Sequence, residues 1–298
     1  MEEMMILVVI QQIINGLALG SVYALIALGY TMVYGIIGLI NFAHGDVYMA
    51  GAFIGFYVCT ALHLSFVPTL LIAMAASAAL GILIEKAAYR PLRKSPKIAL
   101  LITAIGVSLF LENAVRFIAG PNPKPYPAAI LPQKNINFGT LQINNLQLII
   151  LCVSVALALL LQFVVYKTKV GKAMRAAALD KDAAVLMGIN IDNIISITFA
   201  IGSALAGAAG VLVGILYNRI DPLMGVMPGL KAFIAAVLGG IGIIPGAIFG
   251  GLFMGIAETL TKAYISSKLS DAIAFGILIL VLIIKPSGLL GRKSSEKV

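Results

Sequence analysis

From Met4 to Gly45 the chain reads MMILVVIQQIINGLALGSVYALIALGYTMVYGIIGLINFAHG, without a single Asp, Glu, Lys or Arg. A helix needs about 20 apolar residues to cross the hydrocarbon core of a bilayer. This run is too long for one span and too apolar for a soluble surface. Gly35, Gly38, Asn41 and His44 mark a break within it. The pattern predicts a first span over 6–32 and a broken element over 36–62.

The same reading extends outward along the chain. Uncharged runs cover 64–84, 98–118 (interrupted late by Glu112 and Arg116), 146–166, 193–218 and 232–257, and a last span covers 271–285, ended by Lys285-Pro286. That makes eight hydrophobic elements, two of them interrupted. The second interruption is Gly239-Gly240-Ile241-Gly242-Ile243-Ile244-Pro245-Gly246. Residues 119–145 differ: Pro121, Pro123, Pro125, Pro127 and Pro132 forbid a helix and favour extended structure. The expected fold class is an all-α polytopic membrane protein, one transmembrane domain over 1–298.

Composition agrees. Of 298 residues, 61% are hydrophobic and 11% charged, against roughly a quarter charged in soluble domains. An ordinary cytosolic enzyme, a disordered regulator and a disulfide scaffold are excluded. The formal net charge is +9, and 14 of the 21 basic residues fall in 85–97, 167–192 and 285–298. Basic clusters between apolar spans mark cytoplasmic loops, so nucleic acid is not an expected partner and the lipid bilayer is. With 167–192 and 285–298 on one side, the element over 230–260 must make an even number of crossings. Ten residues from Ala232 to Ile241 rise only about 15 Å as a helix. A re-entrant half-helix that turns at Gly239–Gly246 satisfies the parity. The segments 119–145 and 217–229 are then external, and the side of the N-terminus stays open.

The interrupted elements carry the sharpest local features. Gly51, Phe53 and Gly55 recur as Gly251, Phe253 and Gly255 at an offset of 200 residues. Paired Gly- or Pro-broken spans point to a translocation site, because non-helical backbone survives at membrane depth only beside protein or a water-filled cavity. Asn41, His44, Asp46, Gly239, Gly240, Gly242 and Pro245 are the pathway-lining candidates. The local reading of His44 and Asp46 is the plainer one: an interfacial, hydrated break with Asp46 capping the helix that follows. The spacings Glu112/Arg116 and Glu258/Lys262 suggest i,i+4 ion pairs near the outer face. Small residues at Gly16/Gly20, Gly51/Gly55, Ala206/Gly210/Gly214, Gly246/Gly250 and Gly251/Gly255 predict close helix packing. Cys59 and Cys152 read as small apolar residues.

The segment 167–192 is too charged to enter the membrane. From Lys172 to Met187 it is rich in helix formers, interrupted by Asp180 and Asp182 and stopped near Gly188. Its alanines offer a small-residue surface that a partner groove could accept.

Three stretches together resemble the membrane permease of branched-chain amino acid ABC importers. They are Asn15–Tyr30 continuing into Gly38–Asp46, then Gly171–Ala176 with Asp180, Ala183, Ala184 and Met187–Ile189, and finally Gly239–Ala247 running to Gly250, Gly251 and Glu258. The resemblance covers nearly the whole chain. It implies a multi-pass subunit of a bacterial inner membrane that moves Leu, Ile and Val. It also implies three kinds of partner: a second permease subunit, two cytoplasmic ATP-binding subunits and a periplasmic substrate-binding protein. In that family the helix near 172–188 meets the ATPase, which makes Lys172, Arg175, Ala176, Ala177, Asp180, Ala183, Ala184 and Gly188 the coupling candidates.

No catalytic set is apparent, and neither a cofactor nor a metal site is expected. The Gly-rich run 239–246 lacks the Gly-Lys-Ser/Thr ending of a phosphate loop, so ATP hydrolysis would belong to another chain. A secondary transporter or a passive channel, working without an ATPase, is the alternative. Neither needs a docking helix at 171–190.

Overall fold

The computed structural model describes residues 2–127, 131, 135–138 and 141–291. Parts of the expected external segment 119–145 and of the basic stretch 285–298 lie outside the described residues. The described chain is a helical bundle. In order, the helices are α1 (Glu2–Ile37), α2 (His44–Leu62), α3 (Phe66–Ile84), α4 (Lys97–Ala119), α5 (Asn145–Lys167) and α6 (Lys169–Leu179). Then come α7 (Lys181–Leu186), α8 (Ile191–Tyr217), α9 (Val226–Gly239), α10 (Ile244–Tyr264) and α11 (Ser270–Ile284). Eight of the described helices are long and apolar enough to cross a membrane, while α9 is shorter. The all-α polytopic class is therefore observed.

Two expected boundaries move. The first helix runs on to Ile37, because nothing before Gly38 (φ +75°) stops it. The break then occupies 38–43, and α2 is continuous from His44. His44 and Asp46 are thus in the first turn of a helix and not in a non-helical stretch. Likewise Ile244, Pro245 and Gly246 already belong to α10, leaving Gly240–Ile243 as the turn. Gly240 (φ +108°) and Gly242 (φ +91°) supply the left-handed backbone that reverses the chain there. The half-helix before it begins at Val226 and has 14 residues, a rise of about 21 Å and still short of a full crossing.

Hydrogen bonds and ion pairs sort the connections onto two ends. At one end Arg90 and Arg93 pair with Asp192, and Arg93 also with the buried Glu85. The N–H groups of Leu289 and Leu290 donate to the carbonyls of Leu238 (2.8 Å) and Gly239 (3.1 Å). This end gathers the described parts of all three basic stretches. At the other end β1 (Lys124–Pro125) pairs antiparallel with β4 (Arg219–Ile220), joining the segments expected to be external. A second strand pair, β2 (Asn135–Phe138) with β3 (Leu141–Asn144), leads into α5. The Gln147 side-chain amide donates to Asn15 Oδ1 at 2.7 Å, which puts the early part of α1 at this same end. The sequence left that side open.

Small residues set the helix contacts. On α1, Gly16 and Gly20 lie against the α10 backbone, where a Cβ on Gly20 would stand 2.8 Å from Leu252 Cα. The matched glycines at the 200-residue offset do alike work: Gly51 meets Gly207 of α8, and Gly251 meets Ala24 of α1. The hairpin of α9 and α10 closes through Gly239 against Gly246 and Gly250 against Ala235. Such approaches let backbones touch where hydrocarbon provides no hydrophobic drive between helices. The outward faces of α4, α5 and α11 expose Phe110, Phe117, Leu159, Phe163 and Ile283, side chains suited to lipid or to an apolar partner.

Candidate functional site

Beyond the Arg90/Arg93/Asp192/Glu85 cluster, three polar assemblies stand out among the described residues. The first is built on the α2 break. Asn41 is buried, and its Oδ1 accepts from the Ala43 N–H (3.1 Å) and the Tyr89 hydroxyl (2.7 Å). A π-helical turn over Glu85–Tyr89 aims that tyrosine inward. Asn41 is therefore a brace for the turn and lines none of the cavities described here. His44 is buried against Tyr30, ring centroids 4.8 Å apart. It fills the space opposite Gly29, where a Cβ would collide with the imidazole.

Asp46 is 2% exposed. The hydrated interfacial reading of His44 and Asp46 fails on that burial. Asp46 is also not the cap: the N-cap is Ala43, without a side-chain cap hydrogen bond. Its Oδ2 accepts from the Ser108 hydroxyl at 2.5 Å, and its Oδ1 has no partner. Asp46, Ser108 and Glu112 face one cavity of about 180 Å³ between α2, α4 and the start of α9. Glu112 makes no ion pair with Arg116 among the described residues. It turns into this cavity instead.

The second assembly binds the hairpin. Lys231 Nζ sits 2.8 Å from Glu258 Oε1 and 2.7 Å from Asp271 Oδ1, and Lys262 reaches Glu258 at 2.6 Å. The Tyr23 hydroxyl donates to Glu258 Oε2 at 2.7 Å. Glu258/Lys262 is the expected i,i+4 pair, but Lys231 and Tyr23 were missed. The α9–α10 reversal brings in Lys231 and the packing of α1 on α10 brings in Tyr23, and no local spacing shows either.

The third assembly is an open groove of about 1030 Å³ at the basic end. Its walls are Tyr34–Gly38 from the end of α1, Ala177–Lys181 from the α6–α7 junction, Ile241–Ile243 from the hairpin turn, and Pro286 with Ser287. Of the pathway candidates, Gly242 lines it. Gly239 and Gly240 lie just behind, against the C-terminal segment, and Pro245 stands in the first turn of α10. The expected single helix over 172–188 is two, α6 and α7, because Asp180 accepts from the N–H groups of Asp182 (2.9 Å) and Ala183 (3.0 Å) and caps a new helix. Gly188 (φ +80°) follows the end of α7. Lys172, Arg175 and Ala183 are exposed and Ala176 is half-buried. Ala177 and Ala184 are instead buried within their own chain. The exposed apolar side chains of this segment are Leu179, Val185, Leu186 (87%) and Met187 (82%). Outside the spans, burial raises the Tyr126 hydroxyl above the ordinary phenol range; its ring packs against Gly214 at the end that carries the β1–β4 pair.

Broken helices, buried ionisable groups and an open charged end define a multi-pass membrane permease. The sequence places it further. A model of the family "Branched-chain amino acid transport system / permease component" matches residues 12–282, and the chain belongs to that family. Salmonella typhimurium LivH, a high-affinity branched-chain amino acid transport system permease protein, is 46% identical over 97% of this chain and 97% of its own. The corresponding Pseudomonas aeruginosa protein, BraD, is 47% identical over 97% and 98%. Among solved structures, PsaBC from Streptococcus pneumoniae, in complex with a Fab, superimposes with a TM-score of 0.50 at 13% identity. That match covers 92% of this chain and 91% of the other, a likeness of fold.

Proposed function

We propose that this chain is the membrane-spanning translocation subunit of an ATP-driven importer of branched-chain amino acids, Leu, Ile and Val, in a bacterial inner membrane. It would work with a second permease subunit, two cytoplasmic ATP-binding subunits and a periplasmic substrate-binding protein. Membership of the permease family over 12–282 supports the substrate class. The observation that carries the mechanism is the groove at the basic end. There the α6–α7 junction shares one cavity with the end of α1 and the hairpin turn 241–243. A partner that pushes on α6 and α7 therefore acts directly on the two places where the membrane helices are broken. Rigid-body rocking about such breaks is the general route to alternating access. Asp46 and Glu112 would line the pathway, and the exposed side chains of α6 and α7 would meet the ATPase.

The test is uptake in proteoliposomes containing the assembled complex. Leucine uptake that requires the binding protein and ATP inside the ATPase-facing compartment is the expected result. Leucine uptake by this chain alone, driven by an ion gradient, would overturn it.

A further inference from the structure

We propose that the cavity enclosed by α2, α4 and the first turn of α9 is a binding subsite for the zwitterionic head group of an α-amino acid. The proposal rests on the transport reading above and adds where in the chain the substrate is held.

The cavity has about 180 Å³, far more than the roughly 15 Å³ that one water needs and less than the roughly 300 Å³ of a drug-sized pocket. Two acids face it, Asp46 from α2 and Glu112 from α4. Neither forms an ion pair among the described residues. One oxygen of Asp46 takes the Ser108 hydroxyl; the other is buried with no hydrogen-bond partner among the described residues. An unpartnered carboxylate oxygen at this depth is costly and asks for a donor. A primary ammonium fits, with three donors on one small head.

The opposite charge has its own seat. α9 begins at Val226, and Gly225 just before it and Gly229 in its first turn are buried on the backbone of Gly45. They line the same cavity. The positive end of the α9 dipole therefore borders the same cavity as the two acids. A half-helix N-terminus at membrane depth favours a carboxylate. A ligand carrying an ammonium and a carboxylate on one carbon satisfies both ends at once. Ile105 and Leu109 of α4 complete the wall, an apolar surface for an aliphatic side chain.

The experiment uses the assembled transporter in detergent without the periplasmic binding protein. Equilibrium binding of tritiated leucine is measured, with competition by 4-methylpentanoate, which lacks the ammonium, and by 3-methylbutylamine, which lacks the carboxylate. Losing a charge-assisted partner weakens binding by at least about tenfold. Both competitors should be weaker than leucine by that factor on the wild-type chain, and Asp46→Asn should lose leucine binding by at least as much. Equal competition by either analogue, unchanged binding by Asp46→Asn, or no leucine binding by a wild-type complex that still transports leucine would each overturn the subsite. Glu112→Gln, on the opposite wall of the cavity, is the second variant should Asp46→Asn misfold: it too should weaken leucine binding, and wild-type affinity there would overturn the subsite and place the leucine site elsewhere in the complex. The same preparation, reconstituted with the binding protein, reports ATP-driven uptake. Uptake without discrimination in the binding arm sinks the subsite and leaves the transport reading standing. No leucine uptake sinks both.

Discussion

Lys231 and Glu258 are 27 residues apart in the chain and 2.8 Å apart in space. One is on the short helix α9 and the other on α10, so the pair ties the two arms of the hairpin together inside the bundle. Both are nearly fully buried, and Glu258 also receives the Tyr23 hydroxyl from α1. Removing one partner of a buried pair strands the other, which costs about 3–5 kcal/mol. Here Lys262 still reaches Glu258 from a half-exposed position, which puts the loss at the lower end. Lys231→Ala should therefore destabilise the detergent-solubilised chain by about 3 kcal/mol. Lys231→Met with Glu258→Gln should recover part of it, because no buried charge is then left uncompensated; Asp271 and Lys262, which lose their partners, are both well exposed. Thermal unfolding of the single and double variants measures this; equal losses in both would show that the charge pair is not what holds the hairpin.

The division of loops between the two ends gives a labelling prediction. The β1–β4 pair binds Lys124–Pro125 to Arg219–Ile220, while Arg90 and Arg93 meet Asp192 at the far end. Cysteine introduced at Lys124 or Arg219 should react with an impermeant maleimide in intact cells. Cysteine at Lys94 or Lys172 should react only after the membrane is opened. Labelling of position 172 from outside would invert the topology.

Much of the architecture was legible because membrane depth constrains composition so strongly. The uncharged runs mark the spans, and Gly38 and Gly240–Gly242 mark the breaks, since these φ angles favour glycine. The site was less legible, for a physical reason. Its contacts join residues from different helices: Asp46 to Ser108, Glu112 to the start of α9, Lys231 to Glu258. Helical spacing predicts neighbours three or four apart on one helix, so it found Glu258 with Lys262 and assigned Glu112 to Arg116, whereas Glu112 faces Asp46. Burial of His44 and Asp46 was also hidden, because a break in an apolar run looks the same at an interface and in the core. The space that His44 fills opposite Gly29 exists only once α1 and α2 are packed together.

Packing between α1 and α10 is tight enough to test with one methyl group or more. A Cβ on Gly20 would meet backbone, the Cα and O of Leu252, at 2.8–2.9 Å. Backbone cannot rotate away as a side chain can, so Gly20→Leu should cost at least the roughly 1–3 kcal/mol of an overpacked site. Reduced expression and a lower unfolding temperature are expected. Gly106→Ala on α4 is the control, since nothing lies within 4 Å of its added Cβ; it should behave as the parent. A stable, fully expressed Gly20→Leu chain would mean that α1 and α10 are further apart than described.

The coupling surface is best tested where the side chains point outward. Leu179, Leu186 and Met187 are exposed at the charged end, beyond the reach of lipid tails if that end is cytoplasmic. Apolar groups left in water in such a cluster mark a contact surface. Ala177 and Ala184 are buried, so enlarging them strains this chain first and a partner only second. Two classes of variant separate these effects. Leu186→Asp with Met187→Asp should leave the permease folded, within about 0.5 kcal/mol of the parent, as exposed substitutions do. The same pair should lower ATP-driven leucine uptake and substrate-stimulated ATP hydrolysis together, by at least about fivefold if these residues anchor the contact. Ala184→Trp should instead lower the stability of the permease itself, by about 1–3 kcal/mol. Full uptake by the double Asp variant would show that the ATPase docks elsewhere, and that α7 serves only to carry the chain from α6 to α8.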